Sequence, residues 1–533
     1  MKLSSFKNIQ IAQGHERIYI VALIMLVIAL PFSFFLMSLS QIILLINWLS
    51  EGNFGEKLKI LKDRKGILLI CSIYLVHLLW LINTSDFAYA FHDLKIKLPL
   101  LVLPLIVGTS RSLNKNQVKI ILQFFIAAVV AGTLLSTAIL LGFSSLHVTD
   151  VRQISVFISH IRFSLLIIMA IFCLLWIAFS GQFNLNKSGR IFYPLAIFWL
   201  FVFLFLLQSF TGLFICMALC FVLFFRYWKN IKSLRLKIGI CLAILISVCF
   251  SAGYIAHCLK KFYTIETISP ASVKSYTGQG NPYSHDLNNK IVENGHYVWL
   301  NYCEKELRES WNQRSRLVYD GKDRKGQDIK YTLIRYLTSR GLDKDAKGVN
   351  ALSEQDVRNI EWGMSNYIFQ NKIGLYPKIY ETIWQIDVFR KGGNPSGHSV
   401  TQRILYLSAA FHIIGENFWF GTGTGDVKAA FHTMYKKLDS PLTARWRLRA
   451  HNQFVTFFLS FGIFGFCWIM FAFIAPVILE KKSFDFLTFI FLFVAFASML
   501  NEDTLETEAG MVFFAFFYSF FIFGRDKKTL ACV

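Results

Sequence analysis

The uneven distribution of apolar segments constrains the fold of this 533-residue chain more than any other feature. Nine apolar segments lie in residues 1–257, three lie in residues 453–533, and the intervening residues 258–452 are mostly polar. The runs are roughly 16–25 residues long, which is the length at which an α-helix crosses a bilayer. Membrane-spanning strands would need alternating apolar and polar residues, and that pattern is absent. The chain is therefore predicted to be an all-α, polytopic membrane protein.

Hydropathy predicts twelve transmembrane helices, with a large and partly helical loop between the ninth and the tenth. The composition agrees with this class, because 55% of the residues are hydrophobic and 54 of them are Phe. The predicted domains are helices 1–9 in residues 1–257, the loop in residues 258–452, and helices 10–12 in residues 453–533. The predicted spans are residues 18–33, 35–50, 66–83, 97–109, 118–142, 157–179, 191–207, 211–226, 238–256, 453–479, 484–500 and 509–523.

Positive charge is concentrated on one side of the predicted membrane. The loops after even-numbered spans are rich in Lys and Arg, as in residues 57–65 and 226–237, whereas residues 501–508 on the other side are acidic. By the positive-inside rule, both termini are predicted to be cytoplasmic. The loop at residues 258–452 is then periplasmic, and the protein is predicted to reside in a bacterial inner membrane.

The long loop is predicted to be folded and to have an anionic partner. It carries 28 Lys and Arg against 19 Asp and Glu, so a substrate or a lipid head group is expected, although an excess of this size can also be nonspecific. Apolar spacing predicts helices at residues 296–318, 329–342 and 402–416, with a break at residues 392–397. Whether Cys258 and Cys303 form a disulfide is left open.

Arg162 is the first candidate for a functional role. It lies a few residues inside the sixth span, where an unpaired arginine is costly. It could reach back to the membrane interface, as long basic side chains do. The neighbouring His160 and Ser164 favour the alternative, in which Arg162 lines a polar cavity.

Arg403 and His451 are candidates in the long loop. Arg403 opens an amphipathic helix, and an arginine fork can hold phosphate oxygens bidentately; a solvated helix residue is the simpler alternative. His451 directly precedes the tenth span, and a histidine can take a proton from an attacking sugar hydroxyl. Because Arg445, Arg447 and Arg449 precede it, we expect a cationic rim that contacts an anionic substrate or lipid head groups.

Glycines and acids supply weaker candidates. Residues 421–426 predict a tight turn at the membrane surface, with an anion-binding nest of backbone amides as the alternative. Gly462 and Gly465 predict close helix packing in the tenth span. Asp93 and the acids of residues 501–508 could pair with the arginines, but most of them are expected to be solvated.

The order of these motifs resembles the O-antigen ligase and polymerase superfamily of bacterial inner-membrane glycosyltransferases. The matching segments are Asp93-Leu94-Lys95-Ile96-Lys97-Leu98-Pro99-Leu100, His160-Ile161-Arg162-Phe163-Ser164, Arg403 in its helix, Phe420-Gly421-Thr422-Gly423-Thr424-Gly425-Asp426, His451-Asn452-Gln453, Phe461-Gly462-Ile463-Phe464-Gly465 and Glu502-Asp503. One segment departs from the pattern, since family members often carry Ser-Arg near the start of the eighth span and this chain has Ser209-Phe210.

The resemblance implies a function and a set of site residues. A glycan would move from an undecaprenyl-diphosphate carrier to an acceptor hydroxyl at the periplasmic face, with inversion and without a metal ion or other cofactor. Arg162 and Arg403 would bind the diphosphate, with His160, Arg447 and Arg449 as further substrate-binding residues. His451 would be the catalytic base. The expected partners are the lipid-linked donor, a glycolipid or other glycan acceptor and membrane lipid, with no nucleic acid.

The acceptor and the class of protein have alternatives. Ligation to lipid A-core is the first expectation. Polymerisation of repeat units and glycosylation of a protein are alternatives within the superfamily. A lipid-linked sugar transporter would be expected to show inverted repeats, broken helices and ionisable residues at mid-membrane. No repeat is visible, and the candidate residues lie on one face.

Overall fold

The computed structural model describes residues 2–143, 151–183, 186–269, 272–371, 374–483 and 485–526, with side chains from residue 13 onward. The described residues are predominantly helical, which confirms the predicted all-α class. In chain order the α-helices are α1 (Lys2–Ala29), α2 (Phe34–Ser50), α3 (Phe54–Asp63), α4 (Lys65–Leu79), α5 (Phe87–Lys97), α6 (Pro99–Thr109), α7 (Lys115–Leu140), α8 (His160–Phe179), α9 (Lys187–Leu206), α10 (Phe210–Arg226), α11 (Leu234–Tyr263), α12 (Glu304–Arg314), α13 (Ile329–Ser339), α14 (Ala346–Asn350), α15 (Glu354–Glu361), α16 (Leu375–Arg390), α17 (Ser399–Glu416), α18 (Val427–Lys437), α19 (Gln453–Leu479), α20 (Phe486–Met499) and α21 (Glu508–Ile522).

Short 3₁₀ helices and one small sheet complete the described structure. The 3₁₀ segments are Trp80–Asn83, Val151–Ile154, Trp228–Asn230, Tyr367–Gln370, Ala444–Trp446 and Thr504–Glu506. Strands β1 (Val292–Glu293) and β2 (His296–Tyr297) pair antiparallel, with Val292 opposite Tyr297. Asn294 and Gly295 connect them, and both have positive φ, as two-residue hairpin turns require.

A helix lies within each predicted transmembrane segment. Among the described residues, six helices are long and apolar enough to cross a bilayer: α4 with its 3₁₀ extension, α7, α8, α9, α11 and α19. A seventh span results if α2 and α3, which meet at a bend of 108°, are counted together. The shorter apolar helices are α10, α20 and α21. These helices support a multi-pass membrane protein, and the count of twelve spans stays a prediction.

The chain divides into two compact units. The first, here called the bundle unit, comprises residues 2–229 and 394–526; the second, the insert unit, comprises residues 230–393. The bundle unit thus takes residues 394–452 from the predicted loop, and the insert unit takes α11. The division falls within the predicted break at residues 392–397.

Burial in the bundle unit follows helix composition. Every residue of α21 from Ala509 to Ile522 is buried, as expected for a helix that is apolar on all sides. Most of α8 is buried as well. The first turn of α8 meets the residue that precedes α21, where Arg162 Nε donates to Thr507 Oγ1.

The insert unit has its own hydrophobic core. Leu307, Trp311, Tyr319, Leu333 and Ile360 are among the fully buried side chains there. The helices predicted at residues 329–342 and, in the bundle unit, at 402–416 are confirmed as α13 and α17. The helix predicted at 296–318 is wrong at both ends, because β2 takes up residues 296–297, α12 begins only at Glu304, and it ends at Arg314. Cys258 and Cys303 are both free thiols.

Helix α19 is two helical segments joined at Gly462. This residue has φ 63° and ψ −170°, which lies outside the helical region. The backbone groups released by the break bond to residues 418–423: Thr422 N–H donates to Leu459 O and Gly423 N–H to Ser460 O, each over 2.9 Å. Gly462 therefore provides a break in the span, where the sequence had predicted helix packing. Gly465 is closely packed as predicted, since a Cβ there would meet Phe461 and Trp80.

Replacement of Gly462 by alanine is expected to destabilise the protein. A Cβ would collide with the Trp419 carbonyl, and the backbone conformation belongs to a region used almost only by glycine, at a cost of about 1–3 kcal/mol before the collision is added. The apparent Tm in detergent should fall by several degrees. Gly415→Ala is the control, because Gly415 lies in α17 and a Cβ added there would meet nothing within 4 Å, so its Tm should not fall. An unchanged Tm for Gly462→Ala would contradict the proposed constraint.

Candidate active site

The connection between α20 and α21 forms the centre of the candidate site. Its acids Glu502 and Asp503 are buried, as is Asp93 on α5, and Glu506 exposes only 9% of its side chain. The sequence-based expectation that most of these acids are solvated is wrong. A carboxylate that leaves water must be paired or hydrogen bonded, and each of these four has such a partner.

Three residues predicted from the sequence, Arg162, Arg403 and His451, act on Glu502. One Arg403 terminal nitrogen donates to Glu502 Oε1 over 2.6 Å, and the other donates to Asn501 Oδ1. His451 Nδ1 lies 3.7 Å from Glu502 Oε2. Burial would raise the pKa of Glu502, but its contact with His451 and the charges of Arg403 and Arg162 hold the pKa below its ordinary value. Glu502 is therefore held ionised beside the two guanidinium groups and the imidazole.

His451 is held by contacts on several sides. Its backbone adopts φ 50°, and its N–H donates to Asp503 Oδ2 over 3.1 Å. Thr456, in the first turn of α19, donates to the other oxygen of Asp503. The imidazole stacks on Tyr406 of α17, with ring centroids 5.5 Å apart, and its side chain is 31% exposed. The ring is thus oriented by its surroundings and still reachable from outside.

Arg162 lies in the first turn of α8. Its Nε donates to Thr507 Oγ1 over 2.9 Å, at the start of α21. Its two terminal nitrogens form no hydrogen bond with the part of the chain that the structure describes. The residue lines a pocket whose other walls are apolar side chains and the backbone of Gly510: Leu30, Ile158, Leu165, Leu166, Ala509 and Phe513. Arg162 therefore presents donors that the described residues leave unused beside an apolar surface, whereas the sequence predicts a polar cavity wall.

Glu506 anchors a second buried cluster. Arg449 donates to Glu506 Oε2 over 2.8 Å, and Lys97 donates to the same oxygen over 3.0 Å and to Asp93 over 2.7 Å. Gln453 donates to the other oxygen of Glu506 over 2.9 Å. Despite its burial, the charges of Arg449 and Lys97 hold the pKa of Glu506 well below its ordinary value. The cluster ties α5, the approach to α19 and the α20–α21 connection together.

The remaining predicted residues are less central. Arg447 is half-buried, and its Nε donates to the carbonyl of Leu442 over 3.0 Å. His160 is half-buried at the first position of α8. Arg449 is committed to Glu506 and Tyr89. The structure thus gathers Arg162, Arg403 and His451 around one carboxylate.

Glu502, Glu506 and Asn501 are site residues that the sequence reasoning did not assign. Their spacing is a sequence signal for the site. Glu502, Asp503 and Glu506 lie within five residues of each other, in a short connection that keeps all three near the ends of α20 and α21. Tyr406 was also not assigned, although it lies three residues after Arg403 and therefore on a neighbouring part of the same helix face. Only the fold shows that these groups face the predicted cations.

Residues 421–426 form a turn, as predicted, but not an anion-binding nest. The amides of Thr422 and Gly423 are used by the break in α19, and the amide of Gly425 donates to Thr84. The carboxylate of Asp426 accepts from the backbone amides of Ser85 and Asp86, so it holds the segment between α4 and α5. This turn holds the backbone of α19 and of the α4–α5 segment in place, and it leaves few amides for a ligand.

The departure at Phe210 leaves no cation at the start of α10. Phe210 is half exposed, and the next residue, Thr211, accepts a hydrogen bond from Asn501 over 2.8 Å. Asn501 is also the residue that accepts from Arg403. The start of α10 is therefore linked to the site through Asn501.

The fold and site define a multi-pass helical membrane protein with a buried cluster of paired charges at the ends of its helices. Residues 362–470 match the family described as O-antigen ligase, which confirms the predicted resemblance to the O-antigen ligase and polymerase superfamily. The matched range contains Arg403, Arg447, Arg449 and His451, while Arg162 and Glu502 lie outside it. The family implies glycosyltransferase-type activity. No curated protein matches the chain.

Replacement of Glu506 by glutamine is expected to be strongly destabilising. It leaves Arg449 and Lys97 with one carboxylate fewer in a buried site, and removing one partner from a buried ion pair costs about 3–5 kcal/mol. The apparent Tm should fall clearly. The control is Arg111→Ala, which breaks the exposed Arg111–Glu16 pair and should cost at most about 1 kcal/mol. Equal effects of the two changes would show that the buried cluster does not stabilise the fold.

The stabilisation by Glu506 is also expected to depend on pH. Because the pKa of Glu506 is lowered in the folded state, its stabilisation is complete above the ordinary carboxyl value of 4.5 and is lost as pH falls through the lower folded-state pKa. The Tm difference between wild type and Glu506→Gln should be constant above about pH 5 and shrink below about pH 4.5. A difference that instead grew on acidification would contradict this assignment.

Proposed function

We propose that this chain is an O-antigen ligase. It transfers a glycan from an undecaprenyl-diphosphate carrier to a hydroxyl of lipid A-core at the periplasmic face of the bacterial inner membrane. The proposal includes twelve transmembrane helices, the topology given by the positive-inside rule, and a metal-independent, inverting reaction. The observation that carries it is the convergence of Arg162, Arg403 and His451 on Glu502, in a chain that matches the ligase family.

Arg162 and Arg403 suit the donor diphosphate. The terminal nitrogens of Arg162 are unused by the described residues, and the residue borders a small pocket whose apolar walls suit contact with a lipid chain. Arg403 is one-third exposed, so it can exchange a protein partner for a phosphate. A diphosphate leaves as an anion, and fixed guanidinium groups stabilise the charge that develops in the transition state.

His451 suits the acceptor. In the proposed step, the acceptor hydroxyl oxygen forms a bond to the anomeric carbon while the bond from that carbon to the phosphate oxygen breaks. The bonding electron pair leaves with the diphosphate, and the hydroxyl proton passes to His451. Since the buried Nδ1 faces Glu502, Nε2 is the nitrogen assigned to this proton. Attack opposite the leaving group inverts the anomeric centre.

The break in α19 does not favour a transporter. Broken helices of transporters present free backbone groups to a substrate path at mid-membrane. Here the released groups of Leu459, Ser460 and Ile463 are bonded to residues 418–423. The backbone groups at the break are therefore used within the protein. A lipid-linked sugar transporter is one of the outcomes that the reconstitution experiment distinguishes.

Reconstitution of the purified protein with an undecaprenyl-diphosphate glycan tests the proposal. Three acceptors are offered separately: lipid A-core, a second lipid-linked glycan and an acceptor protein. We expect product on lipid A-core, with or without a chelator. Product on another acceptor would assign the chain to the polymerase or protein-glycosylating branch. No product on any acceptor, with folded protein and movement of donor across liposomes, would contradict an enzyme and support a transporter.

Variants connect the activity to the site. His451→Ala should lower turnover by roughly 10²–10⁴-fold, the usual loss for a missing general base. The matched control is His412→Ala, because His412 is an exposed histidine on α17 that bonds to the Ser408 carbonyl of its own helix. It should keep wild-type turnover. Full activity in His451→Ala would remove this residue from the mechanism.

The charge and the shape of Arg403 can be separated. Arg403→Lys keeps the charge but cannot bond to two oxygens in parallel. We expect roughly a tenfold to hundredfold loss of activity, with a smaller loss of folded protein than in Arg403→Ala. Wild-type activity in Arg403→Lys would show that a point charge is sufficient and that bidentate phosphate binding is not needed.

A further inference from the structure

Glu502 is hydrogen bonded to Arg403 but not to His451. Its Oε1 accepts a short bond of 2.6 Å from Arg403, whereas its Oε2 is 3.7 Å from His451 Nδ1, too far for a hydrogen bond. His451 Nδ1 is itself buried and makes no hydrogen bond with the described residues. A buried polar nitrogen without a hydrogen-bond partner destabilises the folded state. The site therefore holds a buried imidazole nitrogen with no hydrogen bond to the described residues, beside a carboxylate that could accept one.

The competing contacts explain why the bond is unmade. Arg403 from α17 draws Glu502 through a charge-assisted hydrogen bond, and Arg162 from α8 adds a second positive charge. Asn501 fixes the other Arg403 nitrogen. On the other side, Tyr406 supports the face of the His451 ring, and Asp503 holds the His451 backbone. The imidazole is thus fixed, and Glu502 is the group that can shift.

We infer that Glu502 is a positioning residue that couples donor binding to activation of His451. This rests on the proposed function. A diphosphate that binds Arg403 and Arg162 replaces Glu502 as the ion-pair partner of these guanidinium groups. Glu502 is thereby released. The carboxylate then closes on Nδ1, accepts its hydrogen bond and fixes the tautomer in which Nε2 is free to take the acceptor proton. A carboxylate in this position also stabilises the imidazolium that forms.

The coupling has a consequence for binding. Glu502 and the donor diphosphate compete for the same guanidinium groups, so loss of the carboxylate charge should strengthen donor binding while weakening catalysis. Replacement of a residue with a merely structural role would not raise donor affinity while lowering kcat. The histidine base is complete only when the donor is present, so acceptor activation follows donor binding.

The test compares Glu502→Gln, Glu502→Asp and the matched control Glu508→Gln. Glu508 belongs to the first turn of α21 and accepts a bond from Ser38. Binding is measured with undecaprenyl diphosphate that carries no glycan, and turnover is measured with the glycan donor at saturation. For Glu502→Gln we expect several-fold tighter binding and roughly a tenfold to hundredfold lower kcat. The acidic limb of the kcat–pH profile should move to lower pH, because the imidazolium loses its carboxylate partner.

Glu502→Asp keeps the charge and should recover part of kcat and the wild-type position of the acidic limb. It also provides the test if Glu502→Gln does not fold. Glu508→Gln should match wild type in binding and turnover. Wild-type kcat in Glu502→Gln, or weaker binding of undecaprenyl diphosphate with unchanged kcat and pH profile, would overturn the inference. Failure of the proposed function is distinct: the wild-type protein itself would then transfer no glycan to any acceptor.

Discussion

The burial of carboxylates in the connection between α20 and α21 is the constraint on which the rest of the site depends. A desolvated carboxylate is tolerated only beside cations and hydrogen-bond donors. Glu502 accordingly draws in Arg403 and His451, and Glu506 draws in Arg449 and Lys97. Groups from separate helices are therefore held at one place before any ligand arrives. This preorganisation is what a site for an anionic leaving group needs, because the charges need not move far when it leaves.

The packing around the break in α19 serves the same arrangement. Gly462 allows the chain at residues 418–423 to bond to the broken helix, and the adjoining helices α17 and α18 share a core with the first half of α19. Tyr406 belongs to that core and supports the His451 ring. The orientation of the proposed base thus depends on a backbone conformation eleven residues away, which glycine alone adopts readily.

Much of the fold was predictable from the sequence, because the length and composition of an apolar run determine whether it forms a helix in a membrane. A helix lies within each predicted span, and the candidates Arg162, Arg403 and His451 come together. The break at Gly462 was missed, since hydropathy does not change across it. The β1–β2 hairpin was missed because the Asn294-Gly295 turn was not considered. The acids were misjudged, since a carboxylate in a short connection is solvated or buried according to which distant cations face it, and that depends on tertiary structure.

The most direct test of donor binding by these arginines is a cryo-electron microscopy structure of the protein with an undecaprenyl-diphosphate glycan bound, prepared with the His451→Ala variant to prevent turnover. We expect the diphosphate within hydrogen-bond distance of Arg162 and Arg403, with the anomeric carbon facing position 451 and the Arg403–Glu502 bond broken. A diphosphate bound elsewhere, with the Arg403–Glu502 bond intact, would contradict the proposed site.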